Sequence, residues 1–218
     1  MLLVLKFFAL AYTALLPVIN PLGSALMFLA VVGSLSKEQY RYLARRVAVS
    51  MVLFLLVFEG GGAALLNFFG ISLPVVQVAG GFVLAAMGWR ILNQNESTNG
   101  QQTSPTSDVG TLDDKIFFPL TFPISAGPAC IVVTLTLSAH ASRHELYSSV
   151  LGHVGMALAI VALGVTIWLC YVYASRITQK IAPAIIRGTL RVVAFVLLCI
   201  GVQIAWNGLQ AMVKAVLR

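Results

Sequence analysis

The chain has 218 residues, 59% of them hydrophobic and 10% charged, with a mean hydropathy of +0.94. Too little polar surface remains to clothe a water-soluble globule of this size, so the composition specifies an integral membrane protein. The formal charge of +7 comes from lysines and arginines grouped beside apolar spans, with no basic run interleaved with aromatics; lipid headgroups, not nucleic acid, are the expected counter-charge.

Apolar runs of about 20 residues, the length that crosses a bilayer, occur near 7–33, 44–68, 74–93, 116–138, 150–174 and 190–213. Six spans are expected. The opening residues do not read as a cleavable leader, because apolar character continues past Leu29 with no small-residue site closing a short core. The first span carries LPVINPLGSALMF at residues 16–28. Proline lacks an amide hydrogen and collides with the carbonyl four residues back, so Asn20-Pro21 should break or kink this helix and free backbone polar groups. Within lipid, such groups persist only where protein or a wet cavity satisfies them.

Ser36 and Gln39 in SKEQ read as a capping box that starts the second helix. Lys37, Arg41, Arg45 and Arg46 precede its entry into the membrane. Glu59, followed by Gly60, Gly61 and Gly62, is the one carboxylate well inside a span. Burying a charge is costly enough that function is the default hypothesis, here a proton coupled to transport; the bland alternative is that Glu59 reaches water through the glycine gap. The third span opens at Pro74 and holds Gln77 and the pair Gly80-Gly81, where a neighbouring backbone can approach closely.

Residues 93–115 form the one polar stretch, read as a flexible cytoplasmic linker between a first three-span repeat at 1–92 and a second at 116–218. The fourth span carries FPISAGPACIV at 122–132, a second proline-broken stretch at Gly127-Pro128. His140, His144 and His153 fall in or beside the next loop and read as solvated. Between Arg176 and Arg191, isoleucines recur every four residues beside basic ones, which predicts a surface helix interrupted at Pro183. The sixth span ends in GVQIAWNGL, with Gln203 matching the third-span place of Gln77, which makes these two the better substrate-site candidates among in-span amides that otherwise read as interhelical glue. Cys130, Cys170 and Cys199 all lie in apolar runs without CxxC spacing and read as packing residues, with no metal or cofactor implied.

If the 36–46 connection is cytoplasmic, that side holds ten of the fourteen basic residues, which favours both termini outside. The fold class expected is therefore an all-α polytopic membrane protein: six transmembrane helices arranged as two inverted three-helix repeats, the first and fourth helices broken. Broken helices expose amide donors at one end and carbonyl acceptors at the other. A small zwitterion matches both. Its carboxylate fits the amides after Pro21, at Gly23 and Ser24, or those near Gly127 and Pro128, while its ammonium meets carbonyls helped by Asn20 and Ser125. Kinks for packing alone are the plain alternative. No nucleophile with a neighbouring base is evident, so enzyme chemistry is not expected.

In this order and spacing, LLPVINPLG, FGISLPVVQVAGG, PLTFPISAGPA and GVQIAWNGL resemble the MarC family of bacterial inner-membrane proteins, over nearly the whole chain outside the linker. The resemblance implies six spans in the inner membrane and, for some members, movement of small neutral amino acids such as alanine and glycine. The chain departs from the family pattern at Gln77, where members commonly have arginine, at Ala129, where a second glycine is common, and at residues 191–194. The expected function is thus a secondary transporter or exporter of small neutral amino acids. A non-transporting scaffold or regulatory subunit, and a carrier of a lipid-linked molecule, stay open beside it. Membrane lipids are partners in any reading; a homo-oligomer is compatible with the residues but not demanded by them.

Overall fold

The computed structural model describes residues 1–33, 36–93, 116–142, 146–174 and 183–217. Among these residues the secondary structure is entirely helical. In chain order, α1 covers Leu2–Ile19, α2 Pro21–Val32, α3 Lys37–Phe68 and α4 Leu73–Leu92. An irregular proline segment, Ile116–Ser125, then leads into α5 (Pro128–Ala141), followed by α6 (Leu146–Val172) and α7 (Pro183–Val216). Among the described residues, five helices are long and apolar enough to cross a bilayer, with Leu2–Leu29 counted as one crossing. The proline segment and α5, bent by 64° against each other, make a sixth if they form one span.

Local sequence explains where these elements begin and end. Asn20 takes the left-handed conformation, with φ 48° and ψ 68°, between α1 and α2; asparagine tolerates this region better than most residues. Pro21 and Pro128 open the helices that follow each interruption, where a missing amide hydrogen costs nothing. Both bonds of the capping box are made, Gln39 N–H to Ser36 Oγ at 3.3 Å and Ser36 N–H to Gln39 Oε1 at 3.0 Å. Within the proline segment, Phe118 and Phe122 are extended and not helical.

Helices in lipid can be apolar all round, so the interior is marked by which apolar residues are covered. On α3 the buried face runs through Leu43, Val47, Met51, Leu55, Glu59 and Gly62, a repeat of three and four residues that carries the carboxylate inward. On α6 it runs through Met156, Ile160, Leu163, Ile167 and Tyr171. The covered faces meet across the two halves: α1 packs on α6, α3 on α6, on α5 and on the proline segment, α4 on α5, and α4 most extensively on α7. Each half thereby supplies the surface that the other buries.

Glycine permits the closest of these approaches. A Cβ at Gly81 would overlap the backbone of Ala205 and Gly201, and one at Gly201 the backbone of Ala85 and Gly81. Gly88 meets Ala194 and Leu198 in the same way, and Gly208 meets Pro74. Van der Waals contact of this kind is a main source of helix association in lipid, where no hydrophobic force acts between helices.

One expectation changes here. Pro183 opens α7, and residues 183–191 are its first turns rather than part of an interrupted surface helix; the fixed φ of proline suits that starting position. Residues 175–182 lie outside the described residues, as do 94–115, which hold all but the first residue of the expected linker. The glycine seam makes a direct prediction. Gly201→Ala should destabilise the protein by about 1–3 kcal/mol through overpacking against α4. Gly60→Ala, whose Cβ would meet nothing within 4 Å, should be neutral or stabilising by up to about 1 kcal/mol. Thermal unfolding of both variants in detergent checks the contrast.

Candidate functional site

The two helix interruptions meet. In an unbroken helix the Ile19 carbonyl would accept from Gly23 N–H; here that amide donates to the Asn20 Oδ1 at 3.2 Å. The released Ile19 carbonyl accepts from the Ser24 hydroxyl at 2.6 Å, and the same hydroxyl lies 3.2 Å from the Ile124 carbonyl of the proline segment. The second interruption repeats the device, with Ser125 Oγ donating to the Leu120 carbonyl five residues back at 2.6 Å. Thr121 does likewise to Ile116 at 2.7 Å. Gly23 leaves room for this arrangement, since a Cβ there would collide with the Asn20 side chain.

Tyr171 of α6 closes the junction. Its hydroxyl pairs with Ser125 Oγ at 2.7 Å, with the Ser24 side chain as a second neighbour. Its ring stacks on Phe28 of α2, centroids 4.4 Å apart and planes 18° from parallel. Ser24, Thr121, Ser125 and Tyr171 are all buried, as are Ala126 and Ala129 on either side of Gly127 and Pro128. The structure thus brings Asn20, Pro21, Gly23, Ser24 and Ser125 to one place, while Gly127 and Pro128 continue directly from Ser125. The donors and acceptors that the sequence offers to a substrate are held here by the chain's own side chains.

Gln77 and Gln203 occupy different surroundings. Gln77 is buried on α4, its Nε2 3.5 Å from Thr136 Oγ1 of α5. Gln203 is on the exposed face of α7, where its Nε2 donates to Asn207 Oδ1 at 2.9 Å. Neither makes a hydrogen bond to the junction residues among the described residues. Midway along α5, the fully buried Thr134 hydroxyl is without a partner among the described residues.

A second polar cluster lies at the other end of α5. Glu59 Oε1 is 2.5 Å from His153 Nδ1, His153 Nε2 is 3.1 Å from Ser142 Oγ, and Ser138 Oγ donates to the Glu59 carbonyl at 2.7 Å. Glu59 is 8% exposed, so it does not open to water through Gly60–Gly62. The expectation that His153 is solvated is corrected. α6 starts at Leu146, which places His153 about two turns inside the helix and on the face that continues through Met156 and Ile160.

Sequence reasoning missed Tyr171 and His153. Both lie on the three-and-four repeat of α6, yet that repeat is hidden in a helix whose lipid-facing positions are equally apolar. A groove of about 280 Å³ at the end of α7, lined by Leu209, Met212, Val213, Val216 and Leu217, has no polar lining and belongs to neither cluster.

The model of the MarC family integral membrane proteins matches residues 5–213. The chain belongs to the MarC family. Among curated MarC relatives, the inner membrane protein MarC of Salmonella typhimurium is 27% identical over 215 residues, covering 96% of each chain. A UPF0056 membrane protein of Pyrococcus abyssi is 28% identical over 210 residues, covering 96% of this chain and 98% of its own. No solved structure matches.

For this MarC chain the junction makes a stability prediction. Tyr171→Phe keeps the stacked ring but strips Ser125 of its outer partner, and should cost about 1 kcal/mol. Tyr171→Ala also leaves a cavity against Phe28 and should cost about 3–5 kcal/mol. In a double-mutant cycle, Ser125→Ala should couple to Tyr171→Phe by about 0.5 kcal/mol or more. Additivity of the two in thermal melts would contradict the proposed bond.

Proposed function

We propose that this protein is a secondary transporter of small neutral amino acids, built as two inverted three-helix repeats, with its substrate held at the junction of the two interrupted helices. The observation that carries this reading is the shared hydroxyl of Ser24, which bonds its own Ile19 carbonyl and the Ile124 carbonyl of the opposite half. Main-chain groups are released from helical pairing at the same place in both halves and are satisfied there by short polar side chains. A substrate carboxylate can take over the Gly23 amide from Asn20, and a substrate ammonium can take over the Ile19, Leu120 or Ile124 carbonyl from a serine. Ala126, Ala129 and Phe28 are buried beside the junction, and we infer from these neighbours a substrate with a small side chain such as that of glycine, alanine or serine.

The inverted repeat is supported by the glycine seam. Gly81 and Gly201 are 120 residues apart, as are Gly88 and Gly208. The same shift exchanges their contacts: Gly88 meets Ala194 and Leu198, while Gly208 meets Pro74 and Val78, the residues 120 positions earlier. Antiparallel helices with contacts that map onto themselves in this way have a local two-fold axis between them. An odd number of spans per half puts that axis in the membrane plane. Alternating access then follows as exchange between two arrangements in which the halves swap roles.

The location proposed is the inner membrane, as printed in the name of the Salmonella relatives, with both termini on the outer side. The asymmetry of basic residues supports this orientation.

Exchange in proteoliposomes tests the reading. Labelled alanine should exchange with internal alanine or glycine, and Ser24→Ala should lower exchange by about tenfold, because the hydroxyl that gives up a carbonyl to the substrate ammonium then donates to the substrate carboxylate, a hydrogen bond of about 1.4 kcal/mol. Gln203→Leu, on the exposed face of α7, should leave exchange within about twofold. Exchange indistinguishable from protein-free liposomes across glycine, alanine, serine and threonine would overturn the proposal.

A further inference from the structure

Two carboxamides on α7 face outward at mid-depth in the membrane. The basic residues that bracket the apolar stretch of this helix are Arg191 and Lys214, with no charged residue between them. At 1.5 Å per residue that stretch is about 35 Å long, slightly more than a hydrocarbon core, and Gln203 stands about halfway along it. Gln203, Asn207 and Gln210 are exposed, whereas Gly201 and Gly208 of the seam with α4 are buried. Gln203 Nε2 donates to Asn207 Oδ1 at 2.9 Å. That bond leaves the Gln203 side-chain oxygen, its second amide hydrogen and both Asn207 amide hydrogens without a partner among the described residues. Lipid tails supply none, and each unmet group costs free energy. Val196, Val202, Trp206 and Leu209 around the amides are exposed and apolar, which is not the lining of a water-filled cavity.

We propose that this face of α7 is the interface of a homodimer, with α7 of one copy parallel to α7 of the other about a two-fold axis along the membrane normal. The occupant is a second copy of this chain because the surface answers itself. A carboxamide is donor and acceptor at once, and the two-fold axis brings each Gln203 and Asn207 to the depth of its own equivalent, so the unmet groups of one copy meet those of the other. Identical copies do not repel within the bilayer, since the face is uncharged up to Lys214; the two lysines meet at the water boundary, where ions screen them. Val196, Cys199, Gln203, Trp206, Gln210 and Val213 recur at intervals of three and four and are all exposed, the pattern of a left-handed helix pair. A single polar position in such a seam fixes register and the number of strands, and Gln203 takes that role.

Shape agrees with this pairing. Two shallow grooves on α7, of about 280 and 210 Å³, share Leu209 and Val213 in their walls, and in a parallel pair they lie level with the equivalent side chains of the second copy, which fill them. The junction is untouched, because Ser24, Ser125 and Tyr171 belong to α2, the proline segment and α6. The interface therefore stands without the transport reading, and each copy keeps its own junction in the dimer.

Two measurements on the full-length protein test the interface. The first is oxidative cross-linking in membranes with one cysteine per chain. Cys199, with Cys130 and Cys170 replaced by alanine, should give a disulfide-linked dimer, as should Trp206→Cys or Gln210→Cys in a chain whose three native cysteines are replaced. Phe82→Cys and Val161→Cys, on exposed faces of α4 and α6, should not. The second is energy transfer between labelled copies of the purified protein in liposomes as lipid dilutes them. Native copies should pair, and Gln203→Leu together with Asn207→Leu should weaken pairing by about tenfold, with helical circular dichroism of native strength showing that the variant is folded. Copies that stay single at every protein-to-lipid ratio overturn the proposal and leave the amides to a different protein or a lipid headgroup. Cross-linking through Phe82→Cys or Val161→Cys but not through Cys199 overturns it, as does pairing unchanged in the double leucine variant. Absence of any alanine exchange beside normal pairing rejects the transport reading and leaves the interface standing.

Discussion

A main-chain carbonyl or amide released from helical pairing in hydrocarbon has no water to turn to, and that constraint organises this molecule. Prolines at 21, 123 and 128 release such groups in two places. The answer in both places is a serine hydroxyl reaching back five residues, Ser24 to Ile19 and Ser125 to Leu120, and the two answers are joined through Ile124 and Tyr171. A polar junction sealed by Phe28, Ala126 and Leu120 results. Pairing that short side chains provide can be taken over by a ligand with the same donors and acceptors, whereas a continuous helix offers no such exchange.

The packing of the halves places that junction between them. α1 leans on α6 and α3 on α5, so neither half buries its own interior, and the principal contact of the molecule is the glycine seam between α4 and α7. Close backbone contact with few side chains between the helices resists compression but leaves a smooth surface. The neighbouring elements differ in kind: α2 and the proline segment are tied by single hydroxyls, and α3 is tied to α6 by the Glu59–His153 pair.

Much of this could be read in the residues beforehand, and the failures have physical causes. Both capping-box bonds, the proline interruptions and the close approach at Gly81 follow from local chemistry that the bilayer does not alter. Glu59 stood out in the residues as the one carboxylate well inside a span, because burying a charge is costly, but its partner did not. The placing of His153, Tyr171 and Gln203 was not legible. In a soluble helix the polar residues outline the outer face and reveal the inner one by contrast; α6 is apolar on every side, so nothing distinguishes Tyr171 on its covered stripe from Trp168 on its exposed one. Gln203 defeats the same logic in reverse, since its amide faces outward and pairs with Asn207 one turn away. The basic residues near 176–191 suggested a surface helix interrupted at Pro183; residues 175–182 lie outside the described residues, and from Pro183 the chain is one helix to Val216, a length that the periodicity of the isoleucines did not reveal.

The central claim is that Ser24 and Ser125 face one junction through which substrate passes. A cysteine pair tests it most directly: Ser24→Cys with Ser125→Cys, in a chain whose three native cysteines are replaced by alanine, oxidised in membranes and then assayed for alanine exchange. The account predicts that the disulfide forms readily, that exchange stops, and that reduction restores it to the level of the unoxidised pair. Failure of the two thiols to join, or full exchange with the bond in place, would contradict the account.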